Sequence, residues 1–171
     1  MSGITTFGLF HTAVSSVSLL TGLYALVRHG EIRYASPSGR TYVWGTVAAC
    51  VTGFFIVRHG GFSAAHALGI LTLVTLLFAW IADRGAVDHG PRRCLAALAY
   101  TFTVFLHFVP GFNETLTRVP AGNPVLTGPD DPLLLAMVGV TFAVFVVIGA
   151  LQARRLLRHR GPMPPQAAYQ F

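Results

Sequence analysis

The chain has 171 residues, 53% of them hydrophobic and 11% charged, with a mean hydropathy of +0.61. That balance excludes an ordinary soluble domain, because the apolar residues fall in blocks close to the length a bilayer requires, so the chain reads as an integral membrane protein. The net charge of +6 rests on twelve arginines and no lysine, and their placement in loops makes it a topology signal rather than a footprint for nucleic acid.

In chain order the apolar blocks are Ile4–Val27, Thr41–Val57, Ala64–Ala82, Cys94–Val109 and Leu133–Leu151, each bounded by charge, Gly or Pro. The expected fold is all-α: a bundle of five transmembrane helices over residues 1–160, followed by a flexible, proline-rich cytoplasmic tail over residues 161–171. Met1–Thr6 carries no Arg or Lys, so the first block lacks the charged start of a secretory signal and is expected to remain as a span. Pro91 suits the first turn of the fourth helix, and Pro110-Gly111 is expected to close it. The connection from Pro110 to Pro132 contains five prolines and three glycines, and a short separate turn is expected over Asn113–Arg118, capped by Asn113. Ten arginines follow the first, third and fifth blocks, whereas only Arg58 and Arg118 lie in the other loops. The N-terminus is therefore expected outside and the C-terminus inside. Cys50 and Cys94 form no CxxC pair and read as small core residues.

The seven histidines divide by depth. His29, His89 and His159 fall among arginines in the inner loops. His11, His59, His66 and His107 fall towards the outer ends of four different helices, and polar groups at membrane depth must face the bundle interior or a wet cavity. Helical spacing supports an inward face for each: Gly8, His11, Ser15, Ser18 and Gly22 form one stripe, Ala48, Thr52, Phe55 and His59 another. His66, Gly69 and Leu73 form a third, and Ala96, Tyr100, Thr103 and His107 a fourth. Gly60-Gly61 allows a tight turn, and Ser63 is placed to cap the third helix. Imidazole is the usual ligand for haem iron, copper or zinc, so His66 and His107, then His11 and His59, are the candidate ligands of one site for haem b or for copper or zinc. Glu114 and Arg118, four residues apart, read as a surface pair.

From Gly39 to Leu77, the elements Gly39-Arg40-Thr41-Tyr42, Gly61-Phe62-Ser63-Ala64-Ala65-His66 and Leu71-Thr72-Leu73-Val74-Thr75 resemble a bacterial family of small multi-pass membrane proteins defined only as a domain of unknown function. The resemblance covers about a quarter of the chain and implies a bacterial inner-membrane protein with His66 in the family's characteristic turn. It implies no activity, and the sequence HFVPGFNETLTRVP after the fourth span departs from the family pattern.

Three functions follow as expectations. The first is electron transfer through a histidine-bound redox cofactor on the periplasmic side, with the quinone pool or a partner complex as the other party. The second is an accessory or assembly subunit, in a larger membrane complex or with further copies of itself, whose histidines are structural. The third is a small proton-linked transporter whose histidines titrate, against which the absence of Asp, Glu or Lys within the spans counts. No nucleophile with a base, no carboxylate pair and no phosphate-cradling loop points to catalysis.

Overall fold

A computed structural model describes residues 5–56, 62–118, 120 and 123–158. Among these the chain is all-helical: α1 (Thr6–His29), α2 (Pro37–Phe54), α3 (Ala64–Asp83), α4 (Pro91–Leu116) and α5 (Pro132–Arg158). Four of them, α1, α3, α4 and α5, are long and apolar enough to cross a membrane. The second helix is 18 residues long and does not reach that standard, because Ser38, Arg40, Thr41, Thr46 and Thr52 dilute its apolar content. The tail over residues 161–171 lies outside the described residues.

Local chemistry sets the helix ends. Thr5 accepts from the Gly8 N–H at the start of α1, and Gly30, in the left-handed region at φ 73°, ends it by donating to the Leu26 carbonyl. Ser36 caps α2 ahead of Pro37. Asp131 takes the Leu133 N–H on one carboxylate oxygen and the Thr127 N–H and hydroxyl on the other, which holds its carboxyl below the usual range and starts α5.

One sequence expectation is corrected. The fourth helix does not close at Pro110-Gly111 but continues to Leu116, so Asn113 lies within it and caps no separate turn. A proline forfeits one backbone bond, here to the Leu106 carbonyl, and can bend a helix without ending it. The Glu114–Arg118 ion pair, one turn apart, supports the continuation.

The packing pairs are α1 with α2, α2 with α3, α3 with α4, α4 with α5, and α1 with α4. The fourth helix is central: half of its apolar window is buried, against 17% for α1, α3 and α5. The outward faces carry Leu9, Leu20, Val74, Leu135 and Val140, all more than half exposed, as lipid-facing surfaces should be. Small residues let α1 and α2 meet closely. A Cβ on Gly22 would lie 2.7 Å from the Tyr42 ring, and one on Gly45 would lie 2.9 Å from the Ser18 Cβ.

At one end of the bundle the α1–α2 loop, the α3–α4 loop and the end of α5 meet around Arg93; this is called the arginine end below. The Arg93 side chain is 3% exposed. Its Nε donates to Glu31 at 2.8 Å, Nη1 donates to Asp83, and Nη2 donates to the Ile32 carbonyl at 3.2 Å. Arg33 joins Glu31 to Asp88, holding the exposed Asp88 carboxyl below its usual range. From α5, Gln152 donates to the Gly30 carbonyl and Arg155 to the His29 carbonyl. Tyr34 stands edge-on to Trp80, and Arg84 lies 4.0 Å over the Trp80 ring. Removing one partner of a buried ion group leaves the others desolvated and unpaired. Arg93→Ala should therefore lower stability by about 3–5 kcal/mol, whereas Arg84→Ala, at an exposed cation–π contact, should cost about 1 kcal/mol or less; unfolding in detergent micelles compares them.

Candidate functional site

His66 closes the capping box of α3. Its Nδ1 lies 2.7 Å from the Ser63 hydroxyl and 3.2 Å from the Ser63 N–H, both of which can donate to it. That leaves the proton on Nε2, which faces the Phe54 carbonyl at 3.4 Å. The ring stacks on Phe54 at 6.1 Å and an interplanar angle of 9°. Both nitrogens are thus occupied locally.

His11, half-buried on α1, places Nδ1 2.9 Å from the Thr52 hydroxyl. Thr52 spends its own proton on the Ala48 carbonyl, so His11 Nδ1 is the donor. His107, on α4, donates from Nδ1 to the Thr103 carbonyl at 2.9 Å, and its Nε2 faces the Thr46 hydroxyl at 3.5 Å. His59 lies outside the described residues.

The three described candidate histidines, from α1, α3 and α4, all meet α2, at Thr52, Phe54 and Thr46 respectively. They do so at different heights. Thr46 and Thr52 are six residues apart, about 9 Å along a helix axis and about 240° round it. A single metal between two imidazoles needs their nitrogens roughly 4 Å apart. Among the described residues no three of His, Cys, Asp and Glu come together as a group that could hold a metal ion. As placed, His11, His66 and His107 therefore do not assemble the one shared cofactor site expected from their similar depth in the sequence. Depth was readable from hydropathy, but rotation about α2 was not.

The structure brings together a buried chain of hydroxyls instead. Ser18 donates to the Tyr42 carbonyl at 2.9 Å, so the 2.8 Å contact between Thr46 and Ser18 is donated by Thr46. Thr103 donates to the Tyr100 carbonyl, so the 2.7 Å contact between Tyr42 and Thr103 is donated by Tyr42. Ser18, Tyr42, Thr46 and Thr103 are all buried. The His107 ring lies 5.8 Å from that of Tyr42. When Nδ1 of a neutral His107 carries the proton, Nε2 presents a basic lone pair to Thr46. Protonation there adds a donor facing an oxygen that can accept it.

The stripe Ala96, Tyr100, Thr103 and His107 extends beyond the sequence reading at both ends. Arg93 precedes it by one turn, and Pro110 and Glu114 continue the same three-and-four spacing. Glu31, Asp83 and Arg93 were missed as a group because each is a loop or helix-end charge in sequence and meets the others only when two loops fold together. Comparison with known proteins adds no relative: no family model, curated protein or solved structure matches the chain.

Ser63→Ala and His66→Ala should each cost about 1 kcal/mol through the same cap, and the double variant should cost little more than either alone. Hydrogen exchange at the first-turn amides of α3 reads this out.

Proposed function

We propose that the protein is a small proton-linked membrane transporter that carries protons along the interface of α2 and α4. The observation that carries this reading is the α4 stripe from Arg93 to Glu114, whose ends lie about 32 Å apart at the helical rise, close to the roughly 30 Å of a bilayer's hydrocarbon. Its members Thr103 and His107 face the Tyr42 and Thr46 hydroxyls of α2, and buried polar groups at membrane depth mark ion and proton pathways. The objection that no carboxylate stands within the spans loses force because Glu31 is buried, and Asp83 largely so, at the arginine end.

In this reading five helices cross the bacterial inner membrane, with α2 sheltered between α1, α3 and α4. The N-terminus is outside, and the arginine end faces the cytoplasm, as the distribution of arginines supports. His66 and His11 lie on the periplasmic approach, and His107 is the titrating group at the head of the hydroxyl chain. A proton taken up on His107 Nε2 passes to the Thr46 oxygen as Thr46 gives its own to Ser18, and waters carry the proton that Ser18 releases past Tyr42 and Thr103 to Asp83. Waters likewise carry the incoming proton across the step of about 9 Å between the Thr52 and Thr46 levels.

The test is proton flux into liposomes bearing the purified protein, driven by a potassium diffusion potential and followed with an internal pH dye. Wild-type flux should exceed that of protein-free vesicles and fall about tenfold or more in His107→Ala. His66→Ala, which alters a cap, should retain most of it. Wild-type flux equal to protein-free vesicles overturns the proposal, and a Soret band lost in His107→Ala would return the reading to a haem-bound electron carrier.

A further inference from the structure

A groove of about 340 Å³ opens between α4 and α5. Phe142 and Phe145 pack on Phe105 and form its aromatic wall. Small residues deepen it: Gly149, where an added Cβ would lie 3.1 Å from Leu98, then Ala150 and Ala153. Its one hydroxyl, that of Thr101, is spent on Gln152, so the lining is apolar. Among the described helices α5 packs against α4 alone, which leaves the groove open to lipid along its length.

The groove's length and place fit one half of a membrane. From Phe142 to Ala153 it runs about 16 Å at the helical rise, half of the roughly 30 Å of a bilayer's hydrocarbon. It occupies the half of α5 nearer the arginine end.

The row that lines it continues past it. Phe142, Val146 and Ala150 recur at steps of four on one face of α5, and Arg154 and Arg158 extend the same row. Both arginines are exposed and make no ion pair or hydrogen bond among the described residues. The carboxylates of this end are already taken: Glu31, Asp83 and Asp88 are held by Arg33, Arg93 and Arg155. An apolar row that ends in two unpaired guanidinium groups, one turn past the groove and at headgroup level, complements a molecule with a hydrocarbon chain and an anionic phosphate head.

We propose that the groove between α4 and α5 binds an anionic phospholipid of the leaflet at the arginine end. One acyl chain lies along Phe142, Val146 and Ala150, and the phosphate accepts from Arg154 and Arg158. The site is independent of the transport reading above: a protein that carries no protons keeps it.

Photolabelling of the full chain in phosphatidylcholine liposomes tests the site, using a trace of phosphatidylglycerol with a diazirine in one acyl chain and, in parallel, phosphatidylcholine with the same group. Peptide mapping should place the phosphatidylglycerol label on the groove residues in preference to Leu20 of α1 or Val74 of α3, with an excess over the phosphatidylcholine probe of about fivefold for each arginine. Arg154→Gln combined with Arg158→Gln should abolish that excess, and Ala150→Trp, which fills the groove, should lower labelling there by both probes. Equal labelling by the two probes, or label spread evenly over the outward faces, overturns the proposal. So does a groove shielded from both probes in a chain that cross-links to a second copy through α5, which makes it a dimer interface. Should Ala150→Trp not fold, the exposed arginine pair decides.

Discussion

A hydroxyl buried in an apolar bundle must find its hydrogen bond inside it, and α2 buries two, Tyr42 and Thr46, that reach other helices for theirs. This constraint orders the bundle. Ser18 of α1 and Thr103 of α4 supply the partners for Thr46 and Tyr42, and the close approach they require explains why glycine stands at 22 and 45. A larger residue at either position would drive α1 from α2 and strand the hydroxyls it covers. The fourth helix is the most buried because it must serve α2 through its polar stripe while also packing against α3 and α5.

The arginine end solves the same problem for charges. Glu31 can be buried, and Asp83 largely so, only because Arg93 reaches both, and Arg93 can be buried only because backbone and carboxylate groups take its donors. Its position on the α4 stripe aligns the ion group with Tyr100, Thr103 and His107. The hydroxyl chain and the charged cluster thus share one helix face, and the proton path proposed above follows from that shared face.

Much of the fold was legible in the sequence. Block lengths placed all five helices, although the fourth and fifth each run seven residues beyond the end of their block, and the small-residue stripe on the first helix marked its contact with α2 through Ser18 and Gly22. The extension past Pro110 was not legible, since a proline inside a helix and one that ends it look alike without the packing that holds the next turn. The site was legible as a set of residues but not as an arrangement. Spacing correctly put Tyr100, Thr103 and His107 on one face, yet it could not show that His11, His66 and His107 reach α2 at separate heights and angles. The meeting of Glu31, Asp83 and Arg93 was out of reach, because it depends on two loops folding against each other.

The staggering of the histidines about α2 is the claim on which the functional account turns. Pairwise cysteine cross-linking, in a Cys50→Ser, Cys94→Ser background in native membranes and with a short bifunctional thiol reagent, measures it directly. The account predicts efficient linkage between positions 11 and 52 and between 46 and 107, with none between 11 and 107. Efficient linkage of 11 to 107 would contradict it and restore a shared imidazole site.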